Sequence, residues 1–146
     1  MNETVHTACW AAAWPSTASA EALKQAGVER DVHLTTFYNA NVRLSFSEPL
    51  PLRLATITQI CEWTTRRGRC IVAVLACEDD WSHALHAALA HAYGTTERNF
   101  CPHLTLERRA PPGKARAYQH LIGKVVAFDR HGVEQRTWKM RGDQTI

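Results

Sequence analysis

Apolar and polar positions along the chain fall into short segments with different periods. TVHTACWAAAW, residues 4–14, is apolar with β-branched and aromatic residues and stops at Pro15, which predicts a first strand. STASAEALKQAG, residues 16–27, opens on Ser and Thr, carries Ala and Leu inside and stops at Gly27, which predicts a helix. DVHLTTFYN, residues 31–39, is again strand-like, and VRLSFS, residues 42–47, either extends it or begins a hairpin. PLRLATITQICEWTT (51–65) and CIVAVLAC (70–77) predict two more strands joined by the polar turn RRGR. DDWSHALHAALAHAYG, residues 79–94, is the clearest helix. Its apolar face is read as Trp81, Leu85, Ala88, Leu89 and Ala92, with Asp79 or Asp80 as the cap and Gly94 as the stop. FCPHLTLER, residues 100–108, predicts a strand, RAPPGKAR a basic loop, and residues 124–138 a final hairpin turning at His131-Gly132. The order is strand, helix, strands, followed by strands, helix, strands. It predicts an α+β fold of two similar halves, with antiparallel sheet flanked by helices.

Composition narrows this reading. The 146 residues make one ordinary domain, and 45% hydrophobic residues suffice for a core. A formal net charge of +3 leans toward anionic partners but is too small for a protein that coats nucleic acid by charge alone. Cys9, Cys61, Cys70, Cys77 and Cys101 are odd in number and lack CxxC spacing, so reduced thiols in a cytoplasmic protein are expected over a disulfide scaffold or a cysteine zinc site. Residues 8–20 look like a short signal-peptide core, but MNETVHT before them carries Glu3 and no Lys or Arg; the segment is read as structure. No apolar run reaches the length of about 18 residues that spans a membrane.

One tripeptide occurs twice. His33-Leu34-Thr35 and His103-Leu104-Thr105 lie 70 residues apart, one in each half and each in a predicted strand. Strand side chains alternate, so each copy sends an imidazole and a hydroxyl to one face and an aliphatic anchor to the other. If the halves pair about a pseudo-twofold axis, both polar pairs face one cleft. Such a cleft suits phosphodiester chemistry. One neutral histidine takes a proton from water or a ribose 2′-hydroxyl, and the other, protonated, gives one to the departing oxygen. Two hydroxyls donate to the non-bridging oxygens as charge builds there. The scheme needs no metal and no cofactor.

HLTT at 33–36 and FCPHLTLERR at 100–109 resemble the paired His-x-Thr motifs of the 2H phosphoesterase superfamily. The resemblance implies two α+β lobes of antiparallel sheet around a central cleft, one motif per lobe, in a single domain over 1–146. It implies His33 and His103 as the acid/base pair and Thr35 and Thr105 as phosphate ligands. Thr36 departs from the family pattern, which usually has an aliphatic residue there, on the core face. The short chain and VHLTTFYNANV look more like the phage anti-CBASS nucleases within that family, which cut cyclic oligonucleotide messengers of bacterial immunity in the host cytoplasm. In that group a C-terminal acidic residue and aromatics hold the nucleobase, which points to Glu134 and Trp138. The expected substrate is therefore a cyclic di- or trinucleotide. The alternatives are an RNA end bearing a 2′,3′-cyclic phosphate or 2′–5′ linkage, and a module that sequesters nucleotides without cutting them. Neither a membrane nor an obligate protein partner is expected.

Other residues carry weaker signals. Trp10 and Trp14 would stack on bases if exposed, and Phe37 would floor the cleft beside Thr35 or else pack in the core. Arg98, Arg108, Arg109, Lys114 and Arg116 would draw in phosphates or simply solvate a loop. His83, His86 and His91 lack zinc-helix spacing and are read as solvated, and His120 and His131 as surface residues.

Overall fold

The computed structural model describes residues 3–39, 44–66, 68–94 and 99–141, with side chains for residues 10–134 of those ranges. The described residues form six strands: β1 (Glu3–Pro15), β2 (Leu34–Tyr38), β3 (Ser47–Thr65), β4 (Gly68–Cys77), β5 (His103–Glu107) and β6 (Val125–Arg141). Two α-helices, α1 (Thr17–Gln25) and α2 (Trp81–Tyr93), and 3₁₀ helices over Glu78–Asp80 and Lys114–Leu121 accompany them. All pairings are antiparallel, and the strands close into one barrel in the order β1-β2-β5-β4-β3-β6. The fold is α+β, as the alternation of elements predicted. Among the described residues no helix is long and apolar enough to cross a membrane.

Local chemistry explains most boundaries. The Ser16 hydroxyl accepts the Ser19 N–H at 3.2 Å and caps α1, and Gly27 leaves the helix with φ +102°. Ala11, Ala12 and Ala13 in β1 are fully buried, so the middle of the apolar segment 8–20 is interior strand and its end is the start of α1. Gly94 ends α2 as predicted, but neither aspartate caps its start. Asp80 sits at the cap in a left-handed conformation and makes no side-chain capping bond. The inward face of α2 is also rotated from the predicted one. Ala88 and Ala92 are exposed, while Ser82, His86, Leu89 and Ala90 turn inward with Trp81 and Leu85.

The largest departure lies near the C-terminus. Residues 124–138 form no hairpin: β6 runs through His131 and Gly132 without a turn and pairs with both β1 and β3. Gly132 serves close approach instead. A Cβ there would meet the Phe46 carbonyl oxygen at 3.2 Å and the Trp14 ring at 3.4 Å. His131 is consequently buried, 2% exposed, rather than a surface residue. The basic stretch after β5 likewise becomes ordered cover, because its 3₁₀ helix buries Tyr118 and Leu121.

Leu34 and Leu104, fully buried, share the main core with Leu23, Ile57, Trp81, Leu121 and Phe128. Each such aliphatic side chain contributes about 2 kcal/mol of burial. Trp81 fixes the entry of α2, with its ring 5.2 Å from Phe128 and its indole N–H donating to the Leu54 carbonyl at 2.9 Å.

Two strands carry matching irregularities. The register between β1 and β2 steps from Ala11↔Phe37 to Ala12↔Thr35, which makes Thr36 an extra residue. The register between β4 and β5 steps from Ile71↔Glu107 to Val72↔Thr105, which does the same for Leu106. A bulge takes its extra residue out of the ladder. At Thr36 the carbonyl is met by His86, whose Nδ1–H donates to it at 2.8 Å while the ring stacks on Phe100 at 4.4 Å and 7°. His86 is therefore a packed residue; His83 and His91 are exposed.

Candidate functional site

β2 and β5 lie side by side with Leu34 opposite Leu104. In an antiparallel pair that register sets His33 across from Thr105 and His103 across from Thr35, all on the face away from the buried leucines. The two tripeptides thus meet at their centres. Each histidine faces the threonine of the other copy. A cavity of about 240 Å³ opens over them, lined by His33, Thr35, His103 and Thr105 together with Arg30, Asp31, Val32 and Arg108.

The imidazoles are held differently. His103 lies with Nδ1 2.8 Å from the Cys101 carbonyl oxygen, and the ring of Trp63 meets it edge-on at 4.5 Å. A carbonyl only accepts, so Nδ1 of His103 carries a hydrogen. His33 lies between two tryptophans, with Trp10 stacked at 6.1 Å and Trp14 tilted at 6.5 Å. The Trp10 indole N–H donates to His33 Nε2 at 3.2 Å. Trp14 is in turn covered by Arg130, whose guanidinium carbon lies 4.4 Å from its ring centre. Burial pushes the Cys101 thiol up, so that side chain stays protonated beside the site and its backbone oxygen does the positioning.

The charge balance at the cavity is positive. Arg30 and Arg108 line it, and Asp31, the acidic residue on its wall, is paired with Lys24 at 3.1 Å. A second hollow of about 230 Å³ adjoins the first through Arg30, Asp31 and Val32, and is walled by Trp14, Pro15, Ala20 and Leu23. Among the described residues no group of three or more His, Cys, Asp or Glu side chains gathers as a metal site.

Of the residues expected from sequence, His33, Thr35, His103 and Thr105 come together in this cavity, and Trp10 and Trp14 stand against His33. Glu134 pairs with Trp10 across β1 and β6 and shares its face. Trp138 pairs with His6 in β6; the side chains of His6, Cys9 and Trp138, and all of Arg98, lie outside the described residues. Phe37 does not floor the cleft. The bulge at Thr36 shifts the alternation by one residue and turns Phe37 to the face of Ala11, where it is 1% exposed and packs with Leu44 and Leu89. Of the basic cluster, Arg108 reaches the cavity, Lys114 pairs with Glu107 at 3.8 Å, and Arg109 and Arg116 are exposed.

Sequence reasoning missed Arg30, Asp31 and Trp63. The first two stand one residue before the first tripeptide, across Val32, and were legible as charges flanking it. Trp63 carried no signal, because it reaches His103 only through the register of β3 on β4 and β4 on β5. Comparison with known proteins finds no matching family model and no matching curated protein.

Proposed function

We propose that the protein is a phosphodiesterase that works by two-histidine acid–base catalysis in this cavity, with a cyclic di- or trinucleotide as its substrate. The observation that carries the reading is the crossed register of the two His-Leu-Thr strands, which sets two imidazoles and two hydroxyls around one hollow with Arg30 and Arg108 beside it. A phosphodiester seated there accepts hydrogen bonds from Thr35 and Thr105 on its non-bridging oxygens, and the two guanidiniums offset its charge. One histidine takes the proton of the attacking hydroxyl, from water or a ribose 2′-oxygen. A new P–O bond forms, the opposite P–O bond breaks, and the other histidine protonates the oxygen that leaves. The reaction so written uses no metal.

The strand order supports two pseudosymmetric lobes within the barrel. β6-β1-β2 and β3-β4-β5 are related through the Leu34–Leu104 pair, each lobe runs strand–helix–strand into its tripeptide, and the two bulges correspond. This matches the plan of the 2H phosphoesterases, with Thr36 in the place that Leu106 fills in the other lobe. The hollow beside Trp14 gives a base somewhere to lie while its phosphate occupies the histidine cavity.

The test is to incubate the purified protein in excess EDTA with cyclic di- and trinucleotides and with an RNA oligomer ending in 2′,3′-cyclic phosphate, using the H33A/H103A double variant as control. Cyclic nucleotides linearised by the wild type alone are the expected result. Opening of the RNA end alone would assign the protein to RNA-end processing, and tight binding without cleavage to a sequestering module.

A further inference from the structure

The two histidines are alike in sequence, yet a ring nitrogen of one meets a donor and a ring nitrogen of the other meets an acceptor. An indole N–H can only donate, so the contact from Trp10 at 3.2 Å requires a bare lone pair on His33 Nε2. A proton on that nitrogen would point at another N–H. His103 meets a group of the opposite kind, since the Cys101 carbonyl at 2.8 Å accepts from Nδ1, and that bond strengthens when the ring becomes cationic. We infer that Trp10 is a positioning residue that keeps His33 neutral, making His33 the proton acceptor and His103 the proton donor of the reaction. The assignment of acceptor and donor rests on the phosphodiester reading above; the protonation split itself does not.

Among the described residues, the charged groups around the pair do not supply this asymmetry. Arg30 and Arg108 line the cavity both imidazoles share and disfavour a second positive charge on either. Asp31 favours a charge, but Lys24 at 3.1 Å already answers it. Glu134 lies next to Trp10 rather than next to His33 in the strand pairing, and Arg130 is seated on Trp14. Stacking of the Trp10 ring on His33 would favour an imidazolium, yet at 6.1 Å between centroids it sits at the outer limit of such contacts. The direct N–H contact outweighs it. In the reaction the nucleophile's O–H replaces the indole N–H at His33 Nε2, so Trp10 marks the place of the group that is to be deprotonated.

The test is a pH titration of the free protein followed by ¹⁵N-edited NMR of the histidine rings, which needs no turnover. His33 should take up its proton at least about half a pH unit below His103, and W10F, which keeps a ring and removes the donor, should close most of that gap. W14F should leave the gap in place. In the cleavage assay the acidic limb of the kcat/KM profile, which reports the free enzyme, should move to higher pH in W10F by the same interval. A wild-type protein in which His33 protonates before His103 as the pH is lowered, or a W10F protein whose gap is unchanged, would overturn the inference. So would W10F that lowers KM without moving the limb, because that marks the indole as a plug. A protein that cuts nothing but shows the split and its loss in W10F would count against the phosphodiesterase reading and leave the protonation assignment standing.

Discussion

Thr35 and Thr36 are neighbours in β2 with the same side chain, and each has a histidine partner, yet their surroundings are opposite. Thr35 faces an open, positively charged cavity and stands across the strand pair from His103. Thr36 is fully buried, and its hydroxyl lies 2.8 Å from Nε2 of His131, which is itself 2% exposed. Burial pushes His131 down and keeps it neutral, although Glu48 stands 3.5 Å from Nδ1 and pulls the other way. In the cavity a proton can be exchanged with solvent and substrate. In the buried pair the imidazole is held neutral and stands apart from the cavity. The same two residue types are thus available for chemistry on one side of the strand and serve packing on the other, and a single bulge separates the two uses.

The sharpest way to break this comparison is to delete each histidine in turn. Loss of His33 or His103 as alanine should lower the cleavage rate by roughly 10²–10⁴-fold, with the melting temperature nearly unchanged, because both rings lie on the cavity face. Loss of His131 should do the reverse. H131A should remove about 2–4 kcal/mol of stability through a cavity and an orphaned Thr36 hydroxyl. The surviving folded protein should turn over at the wild-type rate. Denaturant melts beside initial rates check both. A large rate loss in H131A at a temperature where it is folded would show that the two regions are coupled.

Thr36 itself separates geometry from satisfaction. T36V leaves the His131 Nε2 without its partner and should cost about 1–3 kcal/mol. Adding H131F replaces both polar partners by apolar groups and should restore part of that loss. If T36V alone is neutral, the hydrogen bond contributes nothing and the bulge is held by packing.

The sequence made the tripeptides legible because two coincident His-x-Thr units in strands are rare, and their alternation already placed His33 with Thr35 and Leu34 with the core. It did not reveal the bulges, and so it left Phe37 open between the cleft and the core and could not explain Thr36. A bulge leaves no local mark when the extra residue is another β-former. His131-Gly132 reads as a turn because glycine usually marks one, whereas here the glycine answers the crowding from Phe46 and Trp14 that exists only once β6 bridges β1 and β3. The rotation of α2 escaped for a similar reason. His86 counts as polar in a hydrophobic pattern, but its partner is a backbone carbonyl freed by the bulge on β2.

The pH dependence of stability sharpens the comparison further. His131 protonates less readily folded than unfolded, so between its lowered native midpoint and the ordinary value near 6.5 the unfolded chain binds more protons. Stability is complete above about pH 7 and falls as the pH drops through that window. H131F should flatten this part of the acid limb in urea melts between pH 7 and 5, with His33 and His103 left in place. A limb unchanged in H131F would assign it to other groups.

The smallest effect concerns the residue beyond the second bulge. Glu107 accepts a hydrogen bond from the Tyr118 hydroxyl at 2.6 Å, and burial together with that carboxylate pushes Tyr118 up to about 12. The pair lies on the core side of β5, away from the cavity. Because the folded protein holds the phenol proton more tightly than the unfolded chain, stability is intact below about pH 10 and declines as the pH rises toward 12. The expected loss is about 1 kcal/mol by pH 11. Y118F should cost about 1 kcal/mol at pH 7 through the missing hydrogen bond and should lack that alkaline decline. Its turnover should match wild type, since Tyr118 touches Glu107 and not the histidine face. Melts at pH 8 and pH 11 with initial rates at pH 8 read all three quantities, and a fall in rate without a fall in stability would place Glu107 in communication with the cavity across β5.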